Sequence, residues 1–149
     1  MPSADSTARR RWMSILAKAR PDEVAHCWSK LDRSLPYDLL RRPETGLVMV
    51  RGRIGGDGAP FNLGEMTVTR CSVRLASGIV GHAWIAGRAT KQAEQAALLD
   101  ALLQTPGKHS EIEVELEHLA GLQAARRDKA ARKAAATRVD FFTMVRGED

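Results

Sequence analysis

The sequence predicts an α+β protein, and three observations point there. Apolar residues recur at helical spacing in the first thirty positions and again after Thr90. The stretch from Thr45 to Ile85 alternates with period two and is rich in β-branched residues. Glycine-bearing turns, GGDGAP and ASG, punctuate that stretch. The expected architecture is two N-terminal helices, a mainly antiparallel sheet with a central hairpin, helices packed on that sheet, and an extended C-terminal arm. At 149 residues the chain is sized for one domain spanning 1–149, because domains of roughly 100–200 residues can bury a core.

In DSTARRRWMSILAKA, Asp5 is the expected N-cap of the first helix, and Ala8, Trp12, Ile15, Leu16 and Ala19 form one apolar stripe. A second helix starts at Pro21, a residue suited to a first turn. Asp22 and Glu23 then favour the positive end of the helix dipole, and Val24, Cys27, Trp28 and Leu31 make the next stripe. Trp12 and Trp28 are read as core anchors, since aromatics at helical spacing pack inward.

GLVMVRGRI and MTVTRCSVRL read as strands joined by GGDGAP. That glycine cluster is not a phosphate loop, because no Lys-Ser or Lys-Thr follows it. Leu75, the loop ASG and Ile79 then carry the signature of a three-residue hairpin with Gly78 in the left-handed region. With Leu75 opposite Ile79, the residues Cys71, Val73, Leu75, Ile79, Ala83 and Ile85 fall on one apolar face. Arg70, Ser72, Arg74, His82 and Trp84 fall on the other, with Arg70 opposite Trp84 and within cation–π reach. Met66 and Val68 are out of phase with this alternation, so a β-bulge is expected near Thr69.

GRATKQAEQAALLDALLQ is expected to be a helix capped by Thr90, with Arg88 and Lys91 flanking a start that could attract phosphate. Its alanines would allow close approach to the sheet. In EIEVELEHL, Ile112, Val114 and Leu116 alternate with Glu111, Glu113, Glu115 and Glu117, which predicts a strand with an acidic outer face. A last helix is expected over roughly 120–137. Residues 120–138 hold six cations against Asp128, so this arm alone accounts for the chain's net +5.

Composition excludes several classes. No apolar run approaches the roughly 18–20 residues that cross a bilayer, and the N-terminus lacks the apolar core of a secretory signal. The cytoplasm is the expected location, with no membrane partner. Cys27 and Cys71 stand alone, and His26, His82, His109 and His118 are scattered. No metal site and no nucleophile with its base is nominated. Two partner classes remain for the arm. Either it and the tail carrying Phe141, Phe142, Met144 and Val145 embrace another protein, or its cations neutralise nucleic-acid phosphates. Aromatics are not interleaved with those cations, which favours the protein partner.

Four stretches, RRRWMSILA, ETGLVMVRGRIGGDGAPFNLGEMTVTRCSVRL, GHAWIAGRATKQAEQAALLDAL and RVDFFTMVRGED, resemble in order the PhnG subunit family of the bacterial phosphonate carbon–phosphorus lyase system. Between Thr105 and Thr137 only a general order of strand then helix matches. The resemblance implies a complex with PhnI-type, PhnH-type and PhnJ-type subunits and a PhnL-type ATP-binding-cassette protein. It implies a first step in which an alkylphosphonate displaces adenine from MgATP to give a ribose methylphosphonate triphosphate. In the family that chemistry is credited to PhnI, and the radical cleavage of the carbon–phosphorus bond to the iron–sulfur protein PhnJ. Two isolated cysteines agree with a chain that carries no cluster and no cofactor of its own. The resemblance brings no catalytic residue with it. Arg70, Arg74, Arg88 and Lys91 are then expected contacts for phosphate, phosphonate or an acidic surface, and Arg138, Phe141, Phe142, Met144 and Arg146 an expected partner interface, the alternative for this tail being a last strand that closes the chain's own sheet.

Overall fold

Two long strands joined by a glycine turn form the spine of the molecule. A computed structural model describes residues 6–31, 35–107 and 109–139. The elements, in order, are α1 (Ser6–Lys18), α2 (Pro21–Ser29), β1 (Tyr37–Arg53), β2 (Pro60–Leu75), β3 (Val80–Ala86), α3 (Thr90–Leu103) and α4 (His109–Ala136). The strands make one antiparallel sheet in the order β1-β2-β3. The α+β class is therefore as the sequence predicts.

The β2–β3 hairpin has the register its turn chemistry dictates. Leu75 N–H donates to the Ile79 carbonyl at 2.9 Å, and Gly78 has φ of 87°. Arg70 pairs with Trp84 and Cys71 with Ala83. Cys71, Val73, Leu75, Ala83 and Ile85 are all buried on the helix-covered face.

The expected bulge at Thr69 is absent. Strand β2 pairs with β3 without interruption from Val68 to Arg74. Thr69 itself takes the buried position that alternation with Cys71 requires. Its hydroxyl donates to the Gly87 carbonyl at 2.6 Å and accepts from Ala89 N–H at 3.0 Å, so a polar side chain is satisfied inside. The nearest irregularity lies across the sheet in β1, between Arg41 and Glu44. Pro43 sits there, on an edge strand that tolerates a residue unable to donate.

Helix α3 is buried on nearly every side, as expected of a helix whose apolar residues surround it. Sheet residues lie against one flank, and α1, α2 and α4 lie against the others. Leu98, Leu99, Leu102 and Leu103 are all buried, each worth about 1.5–3 kcal/mol of apolar burial. Close approach needs small residues on both sides. A Cβ added at Gly81 would stand 2.0 Å from the Ala97 carbonyl oxygen. The first residue of α3 is Thr90, so the capping position falls one residue earlier, at Ala89. Asp5, the expected cap of α1, lies outside the described residues.

The strand expected at 111–117 is instead the start of α4, a single 28-residue helix running through the region expected as a separate one. Ile112, Leu116 and Leu119 are buried at i, i+4 and i+7, while Val114 is 68% exposed. Period two held only because Val114 happens to fall between two core positions. Glu and Leu are strong helix formers, and the glutamates gain cationic partners from neighbouring helices. Lys30 pairs with Glu115 and Arg11 with Glu117, each at 2.6 Å.

Candidate functional site

The outer face of the sheet gathers two of the four expected anion contacts. Alternation along β2 puts Arg70, Ser72 and Arg74 on this face, opposite Trp84, His82 and Val80. The Arg70 guanidinium lies 5.7 Å from the Trp84 ring centre. Both arginines already have acidic partners on β1. Arg70 Nε donates to Glu44 at 2.7 Å, and Arg74 donates to Asp38 at 3.1 Å. Arg41 also pairs with Glu44. Hydrogen bonds from Arg41 and then Arg70 hold the Glu44 carboxyl below its ordinary range. Ser72 and His82 share a hydrogen bond of 2.8 Å, an ordinary cross-strand pair on an exposed face.

Arg88 and Lys91 stand elsewhere, at the start of α3. Both are exposed, and neither has an acidic partner among the described residues. Arg74 is level with Val80 and Arg88 follows Ala86, so the length of β3, about 20 Å, separates the two ends of the set. The four cations therefore form two groups, one neutralised by β1 and one open.

The most highly connected polar group is one that sequence reasoning missed. Asp100 sits within the apolar run of α3 and is fully buried. Arg9 donates to it twice, at 3.1 and 2.7 Å. Trp12 Nε1 donates at 2.8 Å and His82 N–H at 2.8 Å. Gln104 of the turn after α3 donates to the Val80 carbonyl at 2.9 Å. Together Asp100 and Gln104 occupy outward-facing backbone groups of β3, which protects a sheet edge from pairing with another chain. One carboxylate thus ties α1, α3 and β3. The available signal was a lone acid inside LLDALL, with Arg9 and Trp12 three apart on one helix face.

A second cationic region lies between α1 and α4. A groove of about 450 Å³ is lined by Arg11, Ser14, Lys18, Gln123, Arg126 and Arg127 among others. Arg126 binds Glu23 of α2 through both terminal nitrogens. That hydrogen bonding, ahead of opposing desolvation, keeps the Glu23 carboxyl below its ordinary 4.5. The stability this pair supplies is present above about pH 4.5 and is lost as pH falls through the lower folded value.

Cys27 and Cys71 are both buried, and desolvation raises each thiol to about 11. A thiol so raised is a poor nucleophile at neutral pH. Among the described residues no three His, Cys, Asp or Glu side chains cluster as a metal site would require. Of the expected partner interface, Arg138 is described, just past α4, where its N–H donates to the Ala135 carbonyl. Phe141, Phe142, Met144 and Arg146 lie outside the described residues.

Comparison with known proteins gives these features a context. The chain is 48% identical over 141 residues to the α-D-ribose 1-methylphosphonate 5-triphosphate synthase subunit PhnG of Rhizobium meliloti (strain 1021). That alignment covers 95% of this chain and 90% of the relative. The family model described as phosphonate metabolism protein PhnG matches residues 7–147. That match runs from the second residue of α1 past the end of α4, and on it the chain belongs to the PhnG family of phosphonate metabolism proteins.

Proposed function

We propose that this chain is an accessory subunit of the synthase that makes α-D-ribose 1-methylphosphonate 5-triphosphate, acting in phosphonate catabolism. The observation that carries the reading is the near full-length identity to a subunit of that enzyme. In the proposed reaction a phosphonate oxygen of an alkylphosphonate bonds to C1′ of the ribose of MgATP. The bond from C1′ to adenine breaks, and the electron pair leaves with the base, which takes up a proton. The chain binds no cofactor by itself, and MgATP is substrate of the assembled enzyme.

The partners we infer are PhnI-type, PhnH-type and PhnJ-type subunits and a PhnL-type ATP-binding-cassette protein, all in the cytoplasm. The whole chain, 1–149, acts as one unit, with Arg138, Phe141, Phe142, Met144 and Arg146 contacting a partner. Of the four candidate anion contacts, Arg88 and Lys91 are the ones free of acidic partners among the described residues. Arg70 and Arg74 would first have to leave Glu44 and Asp38. Exposed pairs of this kind are worth little, at most about 1 kcal/mol, so an incoming phosphate could replace them.

Native mass spectrometry of the chain alone and with its PhnI-type partner tests association. A stoichiometric heteromer is expected, and a chain that stays monomeric beside folded partner would sink the reading. Replacing Arg88 and Lys91 together by alanine should lower synthase turnover roughly tenfold or more, as loss of charge-assisted contacts to phosphate would. Assembly should be unchanged. Full turnover in the double variant would remove that contact from the proposal.

A further inference from the structure

Helices α1 and α4 run side by side in the same direction, because Arg11 meets Glu117 and Gln123 donates to the Ile15 carbonyl at 2.8 Å. Helix α1 ends at Lys18, which shares the groove with Arg126 and Arg127. Helix α4 continues to Ala136, ten residues past Arg126, or about 15 Å, with no other described element beside it. From Arg127 onward it is exposed on every side. Lys133 stands two turns beyond Arg126 on the same line, so the cationic border of the groove carries on into the projecting helix.

The charges along this surface are unequally satisfied. Arg11 and Arg126 are held by Glu117 and Glu23. Lys18, Arg127, Lys129, Arg132 and Lys133 have no acidic partner among the described residues; Lys18 donates only to Ser14 Oγ. A projecting helix of alanines and cations has no apolar stripe to bury and, among the described residues, adds no side chain to the core. Its surplus positive charge faces solvent and is available to an acidic partner.

We propose that the α1–α4 groove and the basic turns of α4 that continue it are the docking surface for an acidic segment of another synthase subunit. This rests on the reading of the chain as such a subunit. Dimensions favour a polypeptide over a small phosphate compound. From the level of Glu117 to Lys133 the stripe rises about 24 Å, the reach of about seven extended residues. Chemistry favours protein over nucleic acid. The groove and the turns that continue it present no aromatic side chain for base stacking. Acidic side chains would pair with Lys18, Arg127 and Lys133, the cations that Glu117 and Glu23 leave unheld, and would be steered in by the surplus charge.

The test uses the full chain carrying Lys18→Glu, Arg127→Glu and Lys133→Glu, three exposed residues outside every ion pair described. Its affinity for the remaining synthase subunits is measured from roughly 0.05 to 0.3 M salt beside the unaltered chain. The unaltered chain should bind more weakly as salt rises. The triple variant should bind roughly tenfold or more weakly at low salt, with a flatter salt response and an unchanged melting temperature. The corresponding Gln triple variant should fall between them, which separates lost attraction from misfolding. Equal affinity and equal salt response in the Glu variant would overturn the docking surface while leaving the subunit reading intact. If the unaltered chain binds none of the subunits, both fall. Binding of a mixed-sequence single-stranded oligonucleotide as tightly as the subunits, abolished in the Glu variant, would reassign the stripe to nucleic acid.

Discussion

Strand β2 passes through two environments. From Thr69 to Leu75 it lies between two strands with α3 across one face, and Thr69, Cys71, Val73 and Leu75 are buried there. From Pro60 to Met66 it pairs with β1 alone, and Phe61, Leu63 and Met66 remain exposed together with Leu47 and Met49 of β1. The chain is extended and carries large apolar residues in both halves. What differs is cover: β3 ends at Ala86, opposite Val68, and the helix that follows turns back over the other half. Alternation therefore says which side chains share a face, and a third element decides whether that face is buried.

The sharpest way to break the covered half is at Asp100. Replacing it by alanine strands the Trp12 indole N–H and the His82 backbone N–H, and leaves Arg9 without its partner. Removing one member of a buried charged network costs about 3–5 kcal/mol. Arg9 is 31% exposed, so water takes over part of its solvation and the expected loss is near the lower end, about 3 kcal/mol. Urea unfolding checks this, with Asp100→Asn expected to lose less because it still accepts from Trp12 or His82. A loss under about 1 kcal/mol in the alanine variant would mean that the carboxylate does not hold the edge of β3.

Gly81 is the next point of attack. Alanine there would press on the Ala97 carbonyl and the Ala101 N–H, both part of the α3 backbone, which has no rotamer by which to move aside. Overpacking of this kind costs about 1–3 kcal/mol. Chemical denaturation of Gly81→Ala is expected to show that loss, and a neutral result would show that α3 can slide on the sheet.

The covered half was also the more legible one. Its register follows from a three-residue turn ending in Gly78, a local signal, and the cation–π pair of Arg70 with Trp84 follows from the register. The features that escaped are non-local. Thr69 looked like a fault in the alternation because its partners, Gly87 and Ala89, come from a loop twenty residues on. Residues 111–117 offered only a few positions, over which periods of 2 and 3.6 both fit Ile112 and Leu116. Cationic partners on α1 and just past the end of α2 then stabilised the helix. The four candidate anion contacts were named from the hairpin face and the helix start they stand on, and neither reveals that Glu44 and Asp38 of β1 stand beside two of them.

The uncovered half should answer oppositely to substitution. The ribbon of Leu47–Arg53 with Pro60–Thr67 extends about 25 Å past the last residue of β3, and a two-stranded hairpin alone is marginally stable in water. Leu47 is 64% and Leu63 66% exposed, so each already pays most of its hydration cost in the folded chain. Leu47→Ser with Leu63→Ser is therefore expected to change the stability of the isolated chain by no more than about 0.5 kcal/mol. Amides of the ribbon should exchange with solvent well before those of Thr69–Leu75 on the same strand, because local opening there uncovers little apolar surface. Protection equal along the whole of β2, or a loss above about 1.5 kcal/mol in the double variant, would mean that the ribbon folds against another part of the chain. The contrast between the two halves would then be one of degree.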